Sequence, residues 1–453
     1  MMETRMEEKD YVKEYLRRTP GSRKLYERAA KIMPGGMSHR ARFVAPYPPC
    51  IQKADGARIW DVDGNEYIDL WMGHHALILG HRSNVSREAL KEVAGLGTHW
   101  GTLHEYEVRF GELIQEIVPC AEKMIFGVSG TEATMYAVRL ARGFTKRRII
   151  LKVAGGWHGG NSDLAWAIHT PFDKPESAGI IPELGNYVKP IIFNDIEATR
   201  RVIQEVKDDL ATIIVEPVVG GGGMIPADKE YLQMLRDETG TLGALLIFDE
   251  VITGFRLALG GAQEFYGIKP DMATFGKVCG GGAPLGLIAG RADVLSLCDG
   301  TIKREKGEGV MVGGGTFSCT PLTMVLGYRT VEYLKDHQDA IYPKINQMGQ
   351  KLREGVAEIF KKNGVAGKTL GLGSLSGVYF PYDPKTVVKN TNQLEELTDM
   401  HKWEHEFRTR MFNHGIFAMH GIGSVSFAHT DKDLQTILAA VERVAKEMKA
   451  KAY

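Results

Sequence analysis

The chain has 453 residues, enough for two domains and a large core, and its 56 Lys plus Arg balance its 56 Asp plus Glu. That neutrality excludes a global field for nucleic acid or an anionic membrane, and no apolar run approaches the ~18 residues of a membrane span. Five scattered cysteines without CxxC spacing, and a charged first twenty residues that do not read as a signal peptide, predict a reduced, cytoplasmic protein.

Residues 1–32 are rich in Glu, Lys and Arg and predict an amphipathic helix, broken at Met33-Pro34-Gly35-Gly36. Ser38-His39-Arg40-Ala41-Arg42-Phe43 follows, with two arginines in a short segment expected to be extended. Residues 57–69 alternate apolar and polar around Asp63-Gly64, the pattern of a hairpin. A helix is expected over 105–118, preceded by His99-Trp100-Gly101-Thr102-Leu103-His104. These two histidines have no further ligands at metal spacing, so no metal is expected.

Met124 to Val128 reads as a strand running into Ser129-Gly130-Thr131 and then a helix with an apolar stripe at Ala133, Tyr136, Ala137, Leu140 and Ala141. Such a junction exposes amide N–H groups at the positive end of a helix dipole, where a phosphate can sit. It is equally the mark of a well-capped helix, with Thr131 a good N-cap. Ile149 to Val153 is the next strand, ending in Gly155-Gly156-Trp157-His158-Gly159. Residues 170–195 carry four prolines and predict loop. Thr212 to Val215 is a buried strand ending in Glu216-Pro217. The glycines at 220–223 lack the lysine and Ser/Thr of a nucleotide loop, and predict a flexible turn.

Leu245-Leu246-Ile247-Phe248 leaves no face for water and predicts a central strand. It ends in Asp249-Glu250-Val251, and an acid there faces the crevice where open α/β sheets hold ligands. Lys277 follows 28 positions after Asp249, a lone cation among apolar and glycine residues. Desolvation would lower its pKa, as a Schiff-base amine requires. A carboxylate for a pyridinium nitrogen plus an amine for an aldehyde suggests pyridoxal 5'-phosphate (PLP).

Ile252-Thr253-Gly254-Phe255-Arg256, Leu259-Gly260-Gly261-Ala262-Gln263 and Gly280-Gly281-Gly282-Ala283-Pro284-Leu285-Gly286 surround this pair. With them the chain closely resembles the class III aminotransferases of PLP fold type I, and within them the glutamate-1-semialdehyde 2,1-aminomutases, from about Met33 to about Lys446. The alternation of strands and helices through 120–290 itself predicts an α/β protein with a mostly parallel sheet. The resemblance implies a seven-stranded sheet, a small α/β domain and a homodimer with sites at its interface. It implies an N-terminal segment with part of the small domain over 1–75, a large PLP-binding domain over 76–329, and a C-terminal small domain over 330–453.

For the site, the resemblance implies PLP on Lys277 and Asp249 on its ring nitrogen. It puts Trp157 and Val251 on the two ring faces, and Ser129, Gly130 and Thr131 around the phosphate. Glu216 would lie near the phenolic oxygen. Thr316, in Gly313-Gly314-Gly315-Thr316-Phe317-Ser318, would reach the phosphate of the neighbouring subunit. Trp100 would wall the substrate pocket. Arg40 or Arg42 would grip a substrate carboxylate in a bidentate way, with Arg256 the next candidate.

Two departures bear on the reaction. The line 417–430 is about two residues shorter than the aminomutase pattern and lacks its glutamate, and Gly73-His74-His75 replaces Ser-Trp-Gly. Phe43-Val44-Ala45-Pro46-Tyr47-Pro48 looks more like the β-amino-acid aminotransferases. The expectation from these features is an aminotransferase moving an amino group from an amino acid to a separate keto acid or aldehyde, with the aminomutase as the alternative.

Overall fold

A computed structural model describes residues 9–313, 315–419 and 421–449. The start of the expected N-terminal helix, Gly314 and His420 therefore lie outside the described residues. What is described of that helix is two helices, Asp10–Arg18 and Pro20–Ala30, because Pro20 cannot continue the first and instead opens the second. The expected extended segment is a short 3₁₀ turn at Arg40–Arg42.

The hairpin forms as anticipated, β2 (Arg58–Asp61) against β3 (Glu66–Asp69), with Gly64 at φ 82° in the turn. An unanticipated strand, β1 (Ile51–Asp55), extends it.

The central sheet holds seven strands in the order β4-β12-β11-β10-β7-β5-β6. These are β4 (Lys123–Gly127), β5 (Ile149–Val153), β6 (Val188–Ile191) and β7 (Leu210–Val215), then β10 (Leu245–Asp249), β11 (Met272–Phe275) and β12 (Gly286–Gly290). Only β12 runs against its neighbours. Alternate residues of each strand serve opposite faces. Leu246 and Phe248 pack into one core with Ile213, Val215, Leu151 and Val153. Leu245 and Ile247 pack into another, with Ile150, Ile214 and the stripe of the helix Gly130–Thr145. Strands walled on both faces read as unbroken apolar runs, and fully burying a side chain such as Phe248 contributes about 1.5–3 kcal/mol.

Glycines 220–223 join a small hairpin, β8 (Val218–Val219) and β9 (Ile225–Pro226). Beyond the sheet come the helices Pro321–Asp336 and Gln338–Asn363. A separate core then gathers Ile68, Leu70, Val356, Phe360, Phe380, Phe407 and Ile437. Val378 of β14 (Leu375–Tyr379) and Ile416 of β15 (Ile416–Phe417) enter this core, Ile422 and Val425 flank β16 (Gly423–Ser424), and Leu370 of β13 (Lys368–Leu370) packs against the larger core. The last helix, Asp431–Lys449, starts with a reciprocal cap: Asp433 N–H donates to Thr430 Oγ1 at 3.2 Å, and Thr430 N–H to Asp433 Oδ2 at 2.9 Å. Among the described residues no helix is long and apolar enough to cross a membrane.

Candidate active site

The carboxyl ends of β4, β5, β7, β10 and β11 open on the same edge of the sheet, and the residues that follow them meet in one cleft of about 190 Å³. Thr131 and Gly130 line it from the first strand, Trp157, His158 and Gly159 from the second, and Glu216, Asp249, Val251 and Lys277 from the others. This is the crevice position that a parallel sheet prepares for ligands.

Asp249 is buried and held from three sides. His158 Nδ1 lies 2.7 Å from its Oδ2, while Val251 N–H and the Thr274 hydroxyl donate to Oδ1 at 3.1 and 3.2 Å. Burial pushes the imidazole of His158 down from its usual pKa, and its Nε2 has no hydrogen-bond partner. A carboxylate only accepts, so a neutral His158 carries its proton on Nδ1.

Lys277 opens a 3₁₀ turn, Lys277–Gly280, with φ at 49°, a left-handed conformation seldom taken by a side-chain-bearing residue. Burial lowers its pKa, against the opposing pull of Asp249 and Glu216. Glu216 is raised, first by burial and then by Asp249. Its carboxylate accepts from Trp157 N–H at 2.8 Å and from Gly220 N–H at 3.1 Å.

Ser129, not Thr131, caps the helix Gly130–Thr145: its Oγ accepts from Glu132 N–H at 3.2 Å. The cap sits two residues earlier, and Glu132 turns back to accept from Val128 N–H at 2.6 Å. A Cβ on Gly130 would come within 2.9 Å of Val251, and one on Gly159 within 2.6 Å of the Thr131 backbone. Only glycines let backbone and ligand approach this closely. An amine with disfavoured charge, a fixed carboxylate and bare amides at a helix start fit a phosphorylated pyridine aldehyde.

The remaining candidates do not line the cleft. Arg40 and Arg42 are exposed, and Arg42 Nε lies 3.3 Å from His74 Nε2. His74 belongs to Met72–His75, four consecutive residues with φ of 45°, 60°, 60° and 66°, a turn of left-handed helix. Trp100 is 42% exposed and donates to Leu96 O at 3.1 Å; Thr316 is exposed beside Phe317. Arg256 cannot serve a ligand from where it lies. It is fully buried, donating to His75 O at 2.6 Å, Ser374 Oγ at 3.1 Å and Val425 O at 3.5 Å.

Three residues around the cleft escaped the sequence reading. His158 was legible in the motif that holds Trp157, but nothing in the sequence pairs it with Asp249. Lys152 is a fully buried cation on β5 whose only warning was its place in an apolar run. Thr134 donates to His158 O at 2.6 Å, and a threonine within a helix gives no sign of that.

The family described as Aminotransferase class-III matches residues 40–427. A glutamate-1-semialdehyde 2,1-aminomutase of Archaeoglobus fulgidus is 38% identical over 426 residues, 93% of this chain and 98% of the relative. That of Methanosarcina acetivorans is 37% identical over 425 residues, 92% and 97% of the two chains. Among solved structures, an omega-transaminase from Sphaerobacter thermophilus superposes with a TM-score of 0.87 at 31% identity, covering 96% of this chain and 99% of that one.

The curated relatives correct the expectation of an aminotransferase acting between two substrates. The departures behind it lie outside the cleft lining and have structural uses. In the line 417–430, Ala418, Ile422 and Val425 fill the C-terminal core, and Ser424 bonds His75 Nδ1 at 2.9 Å. Gly73-His74-His75 makes the left-handed turn.

Proposed function

The chain belongs to the class III aminotransferase family, and from that premise we propose that it is a glutamate-1-semialdehyde 2,1-aminomutase, an isomerase that forms 5-aminolevulinate. The observation that carries this reading is the 38% identity to an aminomutase along nearly the full length of both chains. The cofactor is pyridoxal 5'-phosphate, which in such a site supplies an aldehyde for the substrate amine and a protonated ring that draws electrons from the reacting carbon.

This chain's residues then divide the work. Lys277 anchors the cofactor covalently. Once free, its amine would carry protons between the carbon bearing the substrate nitrogen and the cofactor carbon bonded to that nitrogen, a role helped by burial that disfavours the ammonium. Asp249 keeps the ring nitrogen protonated, and its hydrogen bonds to His158, Val251 and Thr274 fix its carboxylate for that task. Trp157 and Val251 cover the two ring faces. Ser129, Gly130 and Thr131 hold the phosphate at the helix start. Glu216, in the cleft lining, would serve the cofactor's phenolic oxygen. Arg42 is the better candidate than Arg40 for the substrate carboxylate, since it lies 3.3 Å from His74, in the turn that packs on the Lys277 segment.

We propose further that the enzyme is a cytoplasmic homodimer, with Thr316 given to the partner's phosphate. Leu103, Met311 and Phe317 are 70%, 80% and 66% exposed, an apolar surface that a second copy would cover. The division at 75/76 and 329/330 is part of the same proposal.

The test is donor independence. Purified protein given glutamate-1-semialdehyde and no amino donor should form 5-aminolevulinate over many turnovers. If it forms none, yet exchanges amino groups between an amino acid and a keto acid, the proposal is wrong.

A further inference from the structure

Lys152 lies under the cleft without access to water, and no carboxylate among the described residues is within ion-pair distance of it. Its ammonium donates to two backbone carbonyls, Gly156 O at 2.9 Å and Trp166 O at 2.5 Å. The first of these belongs to the peptide joining Gly156 to Trp157. The N–H of that same peptide donates to Glu216 Oε1 at 2.8 Å. One peptide group is therefore gripped by a cation at its oxygen and a carboxylate at its nitrogen. Beyond it the indole of Trp157 projects into the cleft and His158 meets Asp249.

The loop needs such a grip. Gly155 has φ at 83°, Gly156 follows, and Gly159 has φ at 87°, so the backbone around Trp157 has few steric limits of its own. A buried ammonium is also an expensive way to fill space. Desolvating an ammonium carries the penalty of any buried ion, and no paired carboxylate among the described residues offsets it, so packing alone does not account for a lysine here. Burial lowers its pKa to about 7, and Glu216 is what chiefly opposes that fall.

We propose that Lys152 is a positioning residue for the cofactor stack: with Glu216 it holds the Gly156–Trp157 peptide in one plane and so sets the angle of the indole over the cleft. The inference rests on the reading of Trp157 as the ring-stacking residue.

The experiment is a double-mutant cycle on the PLP holoenzyme and its reconstituted apoprotein, with Lys152→Met, Trp157→Phe and both together. The readouts are the PLP dissociation constant from absorbance titration and the induced circular dichroism of the cofactor band. Trp157→Phe should weaken PLP binding by up to about tenfold, the scale of an aromatic stack, and change the dichroic band. Lys152→Met should weaken binding and alter the band in the same sense, whatever melting temperature the apoprotein loses with the two carbonyls left unpaired. The double variant should be no worse than the weaker single. Lys152→Gln, which keeps an N–H donor for one carbonyl, should fall between wild type and Lys152→Met, and serves if the methionine variant does not fold. Additive losses in the cycle, or a Lys152 variant that loses melting temperature with its dichroic band unchanged, would overturn the proposal. An unchanged band and affinity in Trp157→Phe alone would instead remove the stacking role on which it rests.

Discussion

The floor of the cleft and its rim are built on different principles. On the floor, Asp249, Glu216 and His158 are buried, and each is held by a named partner within 2.8 Å. The candidates proposed for the rim, Arg40, Arg42, Trp100 and Thr316, are exposed and outside the cleft lining, and the contact between Arg42 and His74 is 3.3 Å long. A rigid sheet positions the floor; turns and loops position the rim. On the proposed reading the chemistry common to a family rests on the first, and the grip on the substrate carboxylate on the second. The floor pointed to the right cofactor, while the differences that pointed to the wrong reaction lie in the C-terminal core and in the left-handed turn, outside the cleft lining.

Substitutions should separate the two regions by size of effect. Lys277→Ala on the floor should cut turnover by at least about 10⁴-fold, the upper range for a positioned proton-transfer group, and abolish the absorbance of the covalently held cofactor. Activity near wild type would break the assignment. Asp249→Ala should lower turnover on the order of 10²- to 10³-fold, as for loss of one fixed electrostatic partner, with the cofactor still bound. Steady-state kinetics of cofactor-saturated protein decides it. At the rim, Arg42→Ala should raise KM roughly tenfold to a hundredfold, the worth of a charged hydrogen-bonded contact, and leave kcat nearly unchanged. Arg40→Ala should do neither, and the reverse order would exchange their roles. The smallest effect belongs to the left-handed turn. His74→Gly should raise apoprotein stability by roughly 0.5–1 kcal/mol in denaturant melts, because glycine accepts that backbone without strain.

The sequence was most legible where both faces of an element are buried. β7 and β10 could not be mistaken, since every residue in them is enclosed. β6 was hidden because it contains Pro190, which a strand near the sheet edge tolerates. β12 starts at Gly286, where a Cβ would fall 2.0 Å from Ser129 O, so a glycine that reads as a loop marks instead a close crossing of two backbones. In the site, Asp249 and Lys277 stood out because a strand end and a glycine setting have local signatures. The meeting of His158 with Asp249 spans 91 positions, and the grip of Lys152 and Glu216 on one peptide passes through backbone atoms. Neither leaves a pattern in residue type.

Arg256 has a consequence for how the molecule comes apart. Its guanidinium takes acceptors from three distant stretches of chain, at His75, Ser374 and Val425, and among the described residues no carboxylate pairs with it. If the C-terminal segment opened alone, two of the three acceptors would leave and a cation would be stranded in an apolar seam. Partial opening is therefore penalised more than its own lost contacts imply. The sheet and the C-terminal core should melt as one cooperative unit, with backbone amides at Val425 and Ile247 exchanging at the same free energy in native-state hydrogen exchange.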